Sequence, residues 1–189
     1  HPDEFRTIGE IFAIWRGGLI FYGGFVLAII ASIIYLRIKK IPILIMMDII
    51  IPAVALGLCL GRIGCFLNGC CFGKPFKYGL IFPPNSPAGF VFPGVKIHPT
   101  QLYSSLFGLI SYFILLKIEK KKPFHGFLFF IFAIMYGSWR IFVDFLRYYD
   151  KDAYFGVLTQ SQFTSIIIIV ISAIILFILN KRLKAAQIE

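Results

Sequence analysis

The chain has 189 residues, 59% of them hydrophobic and only 15% charged, with a mean hydropathy of +0.85. A water-soluble body of this length cannot hide that much apolar surface, so the composition points to an all-α polytopic membrane bundle, read as a single domain over 1–189. The net charge of +10 does not argue for nucleic acid: ten of the 19 basic residues fall in three short runs that each follow an apolar stretch, which is a topology signal.

The first predicted span covers 17–36. Ahead of it stands His1-Pro2-Asp3-Glu4, with neither Met nor the regions of a signal peptide. The sequence is therefore expected to begin inside a longer protein with an even number of earlier spans, two being simplest. The span opens on Trp15-Arg16-Gly17-Gly18 and Tyr22-Gly23-Gly24. Interfacial Trp and Tyr are ordinary anchors, whereas flanking glycine pairs admit a neighbouring helix or a lipid headgroup.

The second span, 41–60, carries Asp48 near its middle. A charge at that depth costs roughly 2.5–3.5 kcal/mol, so Asp48 is expected to partner a neighbouring helix. The span runs into Gly61-Arg62-Ile63-Gly64-Cys65-Phe66-Leu67-Asn68-Gly69-Cys70-Cys71-Phe72-Gly73-Lys74. The glycines here are expected to break helix regularity, and exposed amides with Arg62 and Lys74 suit a phosphate. Cys59, Cys65, Cys70 and Cys71 lie close in sequence, but C-x4-C-C matches no standard zinc pattern and no pair is C-x-x-C. Packing or a structural disulfide is expected ahead of a redox role or a metal held with His98.

Residues 76–100 carry Pro83, Pro84, Pro87, Pro93 and Pro99, which predicts a rigid external loop. It closes on His98-Pro99-Thr100-Gln101-Leu102-Tyr103. Either Thr100 or His98 caps the next helix, or His98, Gln101 and Tyr103 form the rim of a site.

The third span is 101–116 and the fourth 125–145. Tyr136, Arg140, Asp144 and Arg147 recur at helical spacing and predict one polar face. That face is either a structural ion pair or an arginine turned to an anion, oriented by Asp144. The fifth span is 157–180. The runs Arg37/Lys39/Lys40, Lys117/Lys120–Lys122 and Lys181/Arg182/Lys184 all fall on one side, with the C-terminus cytoplasmic and 61–100 at the outer face.

Four blocks, 17–24, 61–73, 98–103 and 136–147, resemble in order the phosphatidylglycerol–prolipoprotein diacylglyceryl transferase family of bacterial inner membranes. The family usually has seven spans, so the resemblance implies a divergent member lacking its first two helices here. It implies transfer of diacylglyceryl from phosphatidylglycerol to the cysteine thiol of a prolipoprotein signal peptide, with membrane lipid as donor and no metal or cofactor. On that resemblance Arg62 and Arg140 hold phosphate, Asp144 stands at an acidic position that is usually Glu, and Tyr22 takes a catalytic place. Gly23, Gly24, Asn68, Gly73, His98, Gln101, Tyr103 and Tyr136 are the implied substrate-binding positions. The departures are Tyr22 where the family carries His, and Cys65 and Cys70 where its signature has Asn and Glu. Because a phenol normally titrates near 10, Tyr22 needs an arginine beside it to act as base, with His98 second in line. Two other readings stand beside this one: an altered lipid-binding paralogue or membrane-complex subunit, and a membrane thiol–disulfide enzyme.

Overall fold

The computed structural model describes the backbone of residues 20–149 and 154–186, and the side chains of 27–149 and 156–185. Two units divide the chain, His1–Ile43 and Leu44–Glu189. The first carries helix α1 (Ile20–Ile38), and the rest belongs to the second.

In the second unit α2 (Ile43–Asn68) leads to strand β1 (Pro75–Leu80) and a short helix α3 (Pro87–Val91). Helices α4 (Thr100–Glu119) and α5 (Phe127–Leu146) follow, then the hairpin β2 (Tyr154–Phe155) and β3 (Leu158–Thr159), and finally α6 (Gln160–Ala186). Four of these helices, α2, α4, α5 and α6, are long and apolar enough to cross a membrane, while 27–38 of α1 forms a shorter apolar helix. Their most apolar windows are only 17–33% buried within the chain, so most of that surface needs a lipid solvent. The protein is a multi-pass helical membrane protein.

The predicted second span was too short. Helix α2 runs eight residues past 60, straight through Gly61 and Gly64, whose added Cβ atoms would meet nothing within 4 Å. Glycine in a helix costs only about 1 kcal/mol against Ala, less than an unbonded amide in an apolar setting. The helix stops at Gly69, where φ is +70°, a turn that a side chain resists. The loop reading of 76–100 also needs correction, since β1 and α3 lie within it. This segment closes on its own apolar cluster of Phe82, Ala88 and Ile97, packed by Phe66, Phe72 and Phe92.

Asp48 explains how α2 and α5 are joined. Its side chain is fully buried, and its Oδ2 accepts from the Gly126 amide at 2.9 Å. Oδ1 accepts from the Leu128 and Phe129 amides at 3.0 and 3.3 Å. A carboxylate from one helix thus caps the amino end of another, where the exposed amides and the helix dipole both favour negative charge. Lys122 completes the pair at 3.3 Å. Below this cap lies the main core, Ile51, Ala55, Leu115, Leu128 and Phe132.

Helices α2 and α4 meet through small groups. A Cβ on Gly108 would come within 2.9 Å of the Ala55 carbonyl oxygen and the Cys59 amide nitrogen. Ser105 Oγ donates to the Cys59 carbonyl at 3.0 Å and lies 3.2 Å from its thiol. Close backbone approach with a hydroxyl bridging the helices is the usual packing where lipid removes the hydrophobic drive.

Candidate active site

The glycine-rich segment after α2 is docked across the ends of two other helices. The Gly73 amide donates to the His98 carbonyl at 3.0 Å, just before α4 begins. The Lys74 amide donates to the Leu146 carbonyl at 2.8 Å, at the last residue of α5. Tyr148 returns the contact, its amide reaching the Phe72 carbonyl at 3.1 Å and its ring stacking on Phe72. Gly73 sits where the three segments meet, and a Cβ there would lie 2.5 Å from His98 Cβ and 2.8 Å from the carbonyl oxygens of His98 and Leu146. Only glycine lets these backbones approach so closely.

Helix α4 holds the segment from the other side. Thr100 Oγ1 donates to the Cys71 carbonyl at 2.8 Å, and Gln101 Nε2 donates to the Cys70 carbonyl at 2.7 Å. The expected capping role of Thr100 or His98 is therefore absent: the N-cap is Pro99, with no side-chain bond. Gln101 is 1% exposed, and its Oε1 has no hydrogen-bond partner among the described residues. His98 stacks on Phe76 at 3.9 Å between centroids, and its Nδ1 lies 3.4 Å from the Tyr103 hydroxyl. Burial holds the His98 ring below the usual histidine range, favouring its neutral form.

Arg140 is held rather than simply paired. Its Nη1 lies 3.5 Å from Asp144 Oδ1, while Nη2 donates to the Tyr149 hydroxyl at 2.9 Å. The Tyr149 hydroxyl in turn donates a hydrogen bond to Asp144 Oδ1 at 2.7 Å. Burial, then that hydrogen bond, pushes the Tyr149 phenol above its ordinary value despite Arg140 and Arg147, so it stays a donor. The other carboxylate oxygen accepts from Thr159 Oγ1 at 2.9 Å and from Ser161 Oγ. Thr159 ends β3 and Ser161 lies in the first turn of α6, and at this junction Thr159 and Gln162 make a reciprocal capping box: the Gln162 amide donates to Thr159 Oγ1 at 3.1 Å and the Thr159 amide donates to Gln162 Oε1 at 3.0 Å. Asp144, 2% exposed, therefore ties the end of α5 to the start of α6 and fixes the guanidinium at the same time.

The expected single face of α5 survives only in part. Tyr136 packs against the apolar core and stacks on Phe132, away from the polar network. The helix ends at Leu146, so Arg147 is extended and lies over the Tyr149 ring at 4.9 Å. Tyr149, Thr159 and Ser161 were not among the sequence candidates. The T-x-x-Q spacing of Thr159 and Gln162 was the available signal for the α6 start, whereas nothing local marks Tyr149.

Arg62 is half-buried on α2 and has no acidic partner among the described residues. Neither a hydrogen bond nor an ion pair joins it to the Arg140 cluster there. Asn68 and Gly69 line an open cleft of ≈ 570 Å³ with Phe66, Phe82, Asn85 and Ser86. The backbones of Tyr22, Gly23 and Gly24 lie in α1, and their side chains fall outside the described ones. The four cysteines are free thiols, which removes the expected disulfide.

The segment that the structure docks onto α4 and α5 is one of the four blocks of the sequence resemblance, and the comparison with known proteins agrees with that resemblance. The prolipoprotein diacylglyceryl transferase family model matches residues 4–178. The chain belongs to this family. It is 39% identical over 182 residues to the phosphatidylglycerol–prolipoprotein diacylglyceryl transferase of Clostridium tetani, covering 95% of this chain and 68% of that protein. It is 37% identical over 171 residues to the enzyme of the same name from Finegoldia magna, covering 90% and 65%. The corresponding enzyme of Teredinibacter turnerae is 35% identical over 175 residues, covering 88% and 58%. This member of the transferase family thus spans about two-thirds of the length of such relatives or less.

Proposed function

We propose that this protein moves diacylglyceryl from phosphatidylglycerol to a prolipoprotein, the reaction in the names of its relatives, and that the acceptor is the cysteine thiol of the signal peptide. A thiol that has lost its proton attacks the glycerol carbon bearing the phosphate. The sulfur–carbon bond forms, the carbon–oxygen bond breaks, and glycerol phosphate leaves with the electron pair. The leaving phosphate needs fixed cations, and Arg140 and Arg62 are the residues assigned to it. The observation that carries this reading is the Arg140 arrangement. Asp144 and Tyr149 take part of its guanidinium at 3.5 and 2.9 Å, and a five-donor group has further N–H groups to give an anion in a fixed direction. Arg62, without an acidic partner among the described residues, supports it. Tyr22 takes the thiol proton, with His98 second. Asn68, Gln101 and Tyr103, with the Gly73 backbone, are the substrate-binding positions in this proposal, and Gly23 and Gly24 are added on the family resemblance alone; Tyr136, of the same resemblance, packs half-buried against the apolar core.

The same proposal places the protein as one domain in a bacterial inner membrane, with the three basic runs and the C-terminus cytoplasmic and the 61–100 segment toward the outer face. The lipid is the donor, so no diffusible cofactor enters the reaction. The test is mass spectrometry of a prolipoprotein signal peptide incubated with the full-length protein in phosphatidylglycerol liposomes. A diacylglyceryl mass gain on the peptide cysteine is expected. Arg140→Ala is expected to reduce transfer by roughly 10²–10³-fold or more, the usual loss when an oxyanion donor is removed, while the protein still inserts. Wild-type turnover by that variant would refute the role of Arg140, and no mass gain from folded, lipid-bound protein would refute the transfer itself.

A further inference from the structure

The cysteines that replace polar residues in the glycine-rich segment do not sit apart. The Sγ atoms of Cys65, Cys70 and Cys71 all lie within 4.8 Å of one another. Neighbouring residues in an extended chain send their side chains to opposite sides, so Cys70 and Cys71 meet only because the backbone bends between them. Gly69 has φ +70° and Cys71 has φ +60°, the latter a conformation that costs a residue with a Cβ roughly 1–2 kcal/mol. That conformation is held from α4, through Gln101 on the Cys70 carbonyl and Thr100 on the Cys71 carbonyl. Cys65 joins from the last turn of α2, and the Cys70 thiol lies 3.7 Å from its carbonyl.

We propose that Cys65, Cys70 and Cys71 form a three-thiolate binding site for a soft d10 metal ion of the zinc(II) or copper(I) class. Three thiolates around one such ion, with metal–sulfur bonds of about 2.3 Å, stand roughly 3.8–4.0 Å apart from each other. The observed separations, none greater than 4.8 Å, lie within about 1 Å of that spacing. Soft sulfur donors select such ions over magnesium or calcium. No fourth His, Cys, Asp or Glu joins the cluster among the described residues, which leaves a coordination position open to a water or an incoming thiol. Binding forms three metal–sulfur bonds and releases up to three protons. With a divalent ion the site would carry a net charge of −1, which Arg62, one helical turn before Cys65, is placed to offset. C-x4-C-C gives no hint of this in sequence, because the convergence depends on the turn and on α4.

The test is titration of the reduced full chain in detergent with cadmium(II), followed by the sulfur-to-metal charge-transfer absorption that only thiolates produce. One saturable equivalent is expected, and in protein preloaded with zinc(II) the band is expected to appear as cadmium(II) displaces the zinc. Cys65→Ser, Cys70→Ser and Cys71→Ser are each expected to remove about one-third of the band and weaken binding at least about tenfold. Cys59→Ser, whose thiol lies against Ser105, is expected to change nothing. Without any substitution, zinc(II) is expected to slow alkylation of the three cysteines together and leave Cys59 unaffected, read by peptide mass spectrometry. The absence of a saturable band from protein with counted free thiols would overturn the site. So would a band of undiminished intensity and affinity after loss of Cys70 or Cys71, or a disulfide among the three in protein isolated without reductant that excludes the metal.

Discussion

Removing the carboxylate of Asp48 tests whether one buried charge holds α5 to α2. The substitution Asp48→Ala leaves the amides of Gly126, Leu128 and Phe129 without the acceptors they have at 2.9, 3.0 and 3.3 Å. Each buried donor left unsatisfied costs about 1–3 kcal/mol, so the three together cost at least about 3 kcal/mol. Lys122 adds little, because its side chain is 22% exposed and can turn to water. Asp48→Asn separates the contributions. Its one carbonyl oxygen can still serve Leu128 and Phe129, but its NH₂ then faces the Gly126 amide and the Lys122 ammonium, donors against a donor. About one bond's worth, roughly 1–3 kcal/mol, is expected for that variant. Cys59 provides the readout, since it is 7% exposed on the same helix. When closing is fast, alkylation of a buried thiol reports the population of opened molecules. A loss of about 3 kcal/mol corresponds to roughly 150-fold faster labelling. Labelling of Cys59 in Asp48→Ala that rises less than about tenfold would show that the carboxylate does not hold the two helices.

Two further outcomes bear on the junction above. Gly73→Ala would place a Cβ 2.5 Å from His98 Cβ and 2.8 Å from two carbonyl oxygens that cannot easily move. A loss of roughly 1–3 kcal/mol is expected, with faster proteolysis between 70 and 98; unchanged cleavage and unchanged transfer would refute the close-packed junction. Burial lowers the affinity of His98 for protons in the folded chain, so the unfolded chain binds its proton first as pH falls. Stability from this residue is therefore complete above the ordinary histidine value of about 6.5 and declines as pH drops through and below it. His98→Gln should flatten that part of a pH–stability profile, and a profile unchanged by the substitution would show that the ring is not the group responsible.

The sequence by itself determined that this chain lives in lipid, because apolar runs of spanning length are a property of local composition. It also marked Asp48, Arg140 and Asp144 as charges in need of a reason, since the cost of placing them there does not depend on the fold. Four motif blocks in order were enough to point to the family. Tertiary structure decided which partners those charges have. Asp48 caps a helix more than seventy residues away in sequence, and Asp144 gathers Tyr149, Thr159 and Ser161 from beyond its own helix. Tyr136, placed by periodicity on the polar face, packs half-buried against the core, where its ring removes apolar surface from contact with solvent. The glycines of 61–73 read alike in sequence, yet Gly61 and Gly64 sit in open space on a continuous helix while Gly73 is wedged between two chain segments. The three thiols could not be paired from their spacing, because their meeting rests on two left-handed residues and on hydrogen bonds from a helix that begins some thirty residues later. Local patterns report what each segment requires of its solvent, and long-range packing alone determines which groups meet that requirement.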